Sequence, residues 1–404
     1  MIKYEELFSD NIKSMKRSVI RELLKLTQKE GIISFAGGLP STESFPVEDL
    51  KKITQEVYDK YGAKALQYGS TEGLPMLLSE LIKLMKDSDN VSVTEENISI
   101  TIASQQGLDL VGKIFLNPND TCIVESPTYV GAISAFNSYR SKMVDVELDD
   151  EGIKTDLLDK TIKDLKKNNI KPKFIYVIPD FHNPAGVTMS LKRRKELLEI
   201  ATRENIMIIE DSPYRMIRYR GENIPSLLSL DKNNLVIALF TFSKIFVPGF
   251  RLGWAVAPKD IIDKFIVAKQ ATDLCTPPFN QFIAALFLNK GLLKKTVERT
   301  ISIYKEKNEL MLESLDKYMP KDKGIRWTKP DGGLFLWVSL PEGYDCDEMF
   351  KLALDKNVAY VVGSAFYAGG EKHNSFRVNF SYPTKEEIVE GVKRLSEVIS
   401  EYVK

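Results

Sequence analysis

Histidine is nearly absent: His182 and His373 are the only two in a chain of 404 residues. So few cannot build a His-rich metal site, and the sequence leads us to expect no metal. A Ser-His-Asp hydrolase would have to use one of them, and no Gly-x-Ser-x-Gly elbow accompanies either. Cysteine is equally scarce. Cys122, Cys275 and Cys346 lie far apart, with no Cys-x-x-Cys spacing, so neither a zinc ribbon nor a disulfide framework is expected and a reducing cytoplasm is the default location. There is no excess of either charge, because Lys+Arg and Asp+Glu both number 56. That balance offers no global attraction to nucleic acid or an anionic membrane. The opening residues MIKYEELFSDNIKSMKRSVIREL contain no continuous apolar run, so neither a signal peptide nor a membrane span is expected. The Gly-x-Gly-x-x-Gly dinucleotide fingerprint is missing too. Chemistry therefore passes to Lys, Tyr, Asp and Arg, or to a cofactor.

What is present is an alternation. The runs NISITIAS, TCIVESP, KMVDVEL, KFIYVIPD, IMIIED, LVIALFTFS and LGWAVAP, between residues 97 and 258, are short, apolar and rich in β-branched residues. Stretches of helical period such as GLDLVGKIFL, YVGAISAFNSY and SLKRRKELLEIATREN separate several of them. This is the pattern of a mainly parallel sheet covered on both faces, in which ligands bind beyond the carboxyl ends of the strands. After residue 290 a long charged amphipathic helix, LLKKTVERTISIYKEKNELMLESLDKYM, precedes strand-like IRWTKP, GLFLWVSL and FRVNFSY and a terminal helix. The chain thus divides into an α/β domain over 51–290 and a smaller α+β domain over 291–404, with residues 1–50 contributing to the smaller one. The stretch SVIRELLKLTQ predicts a further helix near the N-terminus.

Five segments carry chemistry. In SKIFVPGFRLG (243–253), Lys244 follows an apolar strand, and Pro248-Gly249 turns the chain back towards Arg251. A lysine in a partly apolar site has a lowered pKa and attacks aldehydes. Thr241, Ser243 and Arg251 offer donors for a phosphate. Read alone, the segment is more plainly a basic surface turn. In IIEDSPY, Asp211 ends a strand where it can bond a pyridinium N–H, with Tyr214 three residues on; the plainer reading has Glu210 and Asp211 capping the next turn. In YVIPDFHNPAG, Asn183 is either a ligand donor or simply a turn former. ASQQGLDLVGKIFL opens a helix whose first N–H groups and Ser104 suit a phosphate. Its Gly107-x4-Gly112-Lys113 approaches a Walker A motif, but Ile114 stands where Ser or Thr would bind magnesium, and LDLV has helical spacing. Finally, Arg377 interrupts the alternating strand NSFRVNFS, either as a carboxylate fork or as an edge arginine facing water.

In this order, together with SFAGGLPSTESFP, LQYGSTEGLPMLL, SPTYVGAISAF and DGGLFLWVSLP, the segments resemble the fold-type I pyridoxal-phosphate aminotransferases over nearly the whole chain. The likeness is greatest to the group holding 2-aminoadipate, kynurenine and archaeal aromatic aminotransferases. The resemblance implies a large domain around a mainly parallel seven-stranded sheet, a small α+β domain, and a homodimer with shared active sites. It implies pyridoxal 5'-phosphate as cofactor, with Lys244 as Schiff-base lysine and proton shuttle, Asp211 on the ring nitrogen, and Asn183 and Tyr214 on the ring hydroxyl. It implies Tyr129 stacked on the ring, and a phosphate cup of Ser104, Gln105, Thr241, Ser243 and Arg251, with Tyr68 entering from a second subunit. Arg377 and the backbone near Gly37 would take the substrate carboxylate, and Arg21 would help to sort side chains. The implied reaction moves an amino group from an aromatic or 2-aminoadipate-like amino acid to a 2-oxo acid such as 2-oxoglutarate, with ping-pong kinetics. A lyase on the same scaffold and a regulatory ligand-binding protein are the alternatives. Two positions depart from the family: His182 stands where Gln or Asn is usual, and Phe250 precedes Arg251 where an aliphatic residue is frequent.

Overall fold

The computed structural model describes residues 2–15, 17, 31–370 and 372–404. The predicted helix SVIRELLKLTQ, with Arg21, lies outside the described residues. Among the described residues there are fourteen strands: β1 (Ile33–Ser34), β2 (Ile98–Thr101), β3 (Thr121–Ser126), β4 (Lys142–Asp149), β5 (Gly152–Ile153), β6 (Phe174–Val177), β7 (Met207–Asp211), β8 (Val236–Thr241), β9 (Gly253–Val256), β10 (Arg326–Trp327), β11 (Phe335–Ser339), β12 (Val358–Ala359), β13 (Val361–Val362) and β14 (Ser375–Asn379).

All seven apolar runs become strands of one sheet, in the order β2-β9-β8-β7-β6-β3-β4, to which the two-residue β5 adds an edge. The pairs β8-β7, β7-β6, β6-β3 and β3-β4 are parallel. β9 alone reverses within the seven, running antiparallel to both β8 and β2. Every residue of β2, β3, β6, β8 and β9 is buried, whereas the outlying β4 buries only Val146 fully. Strands covered by helices on both faces are mainly apolar; β2, although it ends the sheet, is covered as well, and β4 is not. Helices such as Ala103–Phe115 and Leu191–Glu204 supply that cover. Ser190 starts the second by accepting from the Arg193 N–H, and Asn205, at φ +51°, ends it in the left-handed conformation. Gly107, Gly112 and Lys113 all fall inside the helix Ala103–Phe115, so no phosphate loop forms there.

The 27-residue helix Leu292–Tyr318 packs along the terminal helix Lys385–Tyr402, which a Thr384/Glu387 capping box begins. Nearby lies a second, antiparallel sheet, β10-β11-β14-β13. The N-terminal β1 pairs in parallel with β12, so residues 33 and 34 join the C-terminal part of the chain. No described helix is long and apolar enough to cross a membrane.

Candidate active site

β2, β3, β6, β7 and β8 all point the same way, and the segments after their carboxyl ends converge on one cavity of about 300 Å³. Ser104 and Gln105 follow β2, Tyr129 follows β3, Asn183 follows β6, Asp211 and Tyr214 end and follow β7, and Thr241, Ser243 and Lys244 end and follow β8; all line the cavity. Arg251 and Arg377 complete the group. The structure thus brings together eleven predicted residues that span more than 270 positions of sequence. Of the segment around Gly37, it is Gly38 that lines the cavity. Tyr68 does not line it; this residue is 80% exposed on the surface.

Strand parity explains why two adjacent acids differ. Successive side chains on a strand face opposite sides, so Glu210 and Asp211 diverge. Glu210 accepts the N–H groups of Leu227 and Leu228 (3.1 and 2.8 Å) at the start of the short helix Leu227–Leu230, so neither acid caps the turn that follows β7, where the plainer reading placed them. Asp211 turns to the cavity side, where its Oδ2 accepts the Tyr176 hydroxyl at 2.8 Å and its Oδ1 has no partner. Burial lifts the Asp211 pKa to about 7 against the pull of the Tyr176 bond. A buried carboxylate oxygen without a partner is costly unless a donor arrives, and the pyridinium N–H of pyridoxal phosphate is such a donor.

Lys244 Nζ donates to the Gly38 carbonyl at 2.8 Å. Its pKa falls to about 8, chiefly through burial and then through the charges of Arg377 and Arg251. A larger share of free amine at neutral pH is what a carbonyl-attacking lysine needs. Beside it, Arg251 Nη1 donates to Ser243 Oγ (3.2 Å), and Thr241 Oγ1 lies 2.9 Å from the same hydroxyl. Arg251 has φ +50°, and Ala103, first residue of the facing helix, has φ +55°. A left-handed conformation costs a non-glycine residue about 1–2 kcal/mol, so both ends of this donor cluster are held strained by their surroundings. Gly253 lets them approach: a Cβ there would sit 2.5 Å from the Phe240 oxygen and 2.8 Å from Ala103 backbone atoms. Hydroxyls, a guanidinium and the free N–H groups of a helix start form a cradle suited to a phosphate.

On the opposite wall, Arg377 is 1% exposed. It donates from Nη1 to Asn183 Oδ1 and from Nη2 to the Ala36 carbonyl, both at 2.8 Å, while Nε has no partner. Asn183 Nδ2 donates in turn to the Tyr214 hydroxyl at 3.1 Å. The guanidinium lies over the Phe335 ring, 4.1 Å from its centroid. Burial lowers the Arg377 pKa to about 10, which still leaves it charged at neutral pH. It is a buried cation, not an arginine at a wet edge.

Several contributors were missed from sequence. Tyr176 and Phe335 sit in strand runs where an aromatic reads as ordinary core, and only their neighbours reveal them. His182 Nδ1 accepts from the Ala185 N–H at 3.2 Å. Its Nε2 lies 3.1 Å from Glu125 Oε2, without the alignment of a hydrogen bond. The Ile178 N–H also bonds that oxygen, at 2.8 Å. The family departure at position 182 thus helps to tie the turn carrying Asn183 to β3. His373 stands outside the cavity, 3.2 Å from Asp347.

The family model for aminotransferase class I and II matches residues 30–395. Aromatic-amino-acid aminotransferase 1 of Thermococcus litoralis is 46% identical over 401 residues, which cover 99% of this chain and 96% of that one. The 2-aminoadipate transaminase of Thermus thermophilus is 37% identical, covering 98% of each chain. Among solved structures, Pyrococcus horikoshii kynurenine aminotransferase aligns with a TM-score of 0.96 and 45% identity, over 100% of this chain and 99% of that one. Matches of this extent, on a cavity whose groups suit the cofactor, leave one assignment: the chain belongs to the class I and II aminotransferases, pyridoxal-phosphate enzymes of fold type I, in the group that includes the aromatic, 2-aminoadipate and kynurenine aminotransferases.

Proposed function

We propose that the enzyme takes the amino group of an aromatic or 2-aminoadipate-like amino acid and delivers it to a 2-oxo acid, 2-oxoglutarate foremost, in a ping-pong sequence. The observation that carries this reading is the meeting in one cavity of the Lys244 amine, the unpartnered Asp211 Oδ1 and the buried Arg377 cation. When bound, pyridoxal phosphate supplies an electron sink for charge developed at the substrate α-carbon. Lys244 Nζ would hold the cofactor through its amine and would carry the proton of the substrate α-carbon. Asp211 holds the ring nitrogen protonated, Asn183 and Tyr214 take the ring hydroxyl, and Tyr129 stacks on the ring. Ser104, Gln105, Thr241, Ser243 and Arg251 hold the phosphate.

Arg377 keeps one N–H on each Nη and the Nε–H beyond its two internal bonds, a fork for the carboxylate that donor and acceptor share. The backbone at Gly37 and Gly38 closes that end, and Arg21 sorts side chains. The donor class is supported by the relatives, whose names specify aromatic amino acids, 2-aminoadipate and kynurenine. The site is completed by a second copy of the chain. Tyr68 is exposed beside exposed Leu66, and Leu274 is exposed as well; these residues fit a surface that meets the partner and sends Tyr68 into its cavity. A division at residues 50 and 290 into large and small domains accords with the two sheets.

The test is a single turnover. Holoenzyme mixed with one amino acid and no oxo acid should release one 2-oxo acid per site and stop; continued release identifies a lyase. A panel of donors against 2-oxoglutarate then fixes the preference. The variant Lys244→Ala should lose the visible absorbance of the bound cofactor, and an unchanged band in that variant refutes its assignment.

A further inference from the structure

Asp211 has one oxygen free because its other oxygen is already held, and the holder has no place in the chemistry described so far. Tyr176 lies on β6, entirely buried, at the register position opposite Ile209 of β7. Ile209 and Asp211 share a face by strand parity, and a side chain opposite Ile209 shares it too. The Tyr176 ring therefore reaches diagonally along that face to the end of β7, where its hydroxyl donates to Asp211 Oδ2 at 2.8 Å. The ring is itself pinned by Phe136, which meets it edge-on with centroids 5.6 Å apart. A carboxylate at a strand end has two free torsions. One short bond from a fully buried, packed donor removes that freedom and decides which oxygen faces outward.

We propose, on the reading that Asp211 takes the ring N–H, that Tyr176 is the positioning residue of the cofactor's electron sink: it locks Oδ2 so that Oδ1 is presented to the pyridine nitrogen. The charge balance points the same way. Burial drives the Asp211 carboxyl towards its neutral form, in which it accepts poorly from a pyridinium, and the Tyr176 bond acts against that drive. Tyr176 itself stays a donor, because burial and the Asp211 charge hold its phenol well above the usual range.

Two probes applied to the apo-protein separate this role from simple packing: pyridoxal phosphate, and its 1-deaza analogue, in which a carbon replaces the ring nitrogen. If Asp211 binds the nitrogen, the unmodified protein prefers pyridoxal phosphate to the analogue; equal affinities overturn the Asp211 reading itself. Given that preference, Tyr176→Phe should shrink the affinity ratio on the order of tenfold or more, while binding of the analogue changes little. A ratio that survives in Tyr176→Phe, or a variant that weakens both ligands equally, overturns the proposal. Should the Phe variant fail to fold, 3,5-difluorotyrosine in place of Tyr176 preserves the packing and alters only donor strength. The ratio should then move, and an unmoved ratio overturns the proposal as well.

Discussion

Asp180 offers a sharp test of what holds the Asn183 turn in place. Its carboxylate is 2% exposed and lies between two guanidinium groups. Arg194, itself fully buried, donates to Oδ1 at 2.7 Å and to Oδ2 at 3.4 Å, and Arg215 donates to Oδ2 at 3.0 Å. The other donors of Arg194 are spent on the carbonyls of Met189, Pro179 and Pro225, so the side chain cannot swing out to water. Removing one member of a buried ion pair costs about 3–5 kcal/mol, because the remaining charge stays desolvated. Asp180→Ala should therefore lower the unfolding free energy of the apo-protein by about 3–5 kcal/mol. Asp180→Asn keeps one acceptor oxygen and should lose about 1.5–3 kcal/mol.

The effect has a defined pH sign. Burial alone would raise the Asp180 pKa, but Arg194 and Arg215 outweigh it and the net shift is downward. A lowered carboxyl pKa contributes stability above the unfolded value of about 3.9, and that contribution is lost as pH falls through the folded value. The gap between the parent protein and Asp180→Asn should thus be full at neutral pH and narrow below about pH 4. Urea unfolding followed by circular dichroism at pH 7 and in an acid series measures both. A loss under about 1 kcal/mol for Asp180→Ala at pH 7 would refute the claim that the pair is desolvated and irreplaceable.

Two further outcomes follow from the cavity. The Lys244 amine, with its pKa near 8, should capture pyridoxal phosphate in the apo-protein at a rate that rises with pH through about 8. Below that value the ammonium form predominates and does not attack; a midpoint near the ordinary lysine value of about 10.4 would contradict the burial argument. Arg377→Lys should lower kcat/KM on the order of tenfold or more for the amino acid and for the oxo acid alike, since both lose the fork. If only one of the two suffers, Arg377 reads a side chain instead.

Much of this protein is decided by local sequence. The apolar runs became strands, all but the outlying β4 largely buried, because contiguous β-branched residues are hidden on both sides within a sheet covered by helices, and Ser190 marks the start of one of those helices. The likeness of the ordered motifs to the fold-type I aminotransferases pointed to Lys244, Asp211 and Arg377, which stand next to turns and strand ends. What the chain could not show by itself is which neighbours those groups would meet. Glu210 and Asp211 look alike in sequence; strand parity sends one to cap a helix and the other to the cavity. Tyr176 reads as core until the β6-β7 register sets it beside Asp211, and His182 gains its partner Glu125 only when β3 and β6 lie side by side. Arg377 read more plainly as an edge arginine until β14 was flanked by β11 and β13, which buried it over Phe335. Each of these turns on a pairing between residues distant in the chain, and only closure of the tertiary structure sets the distances on which burial, charge and hydrogen bonding depend.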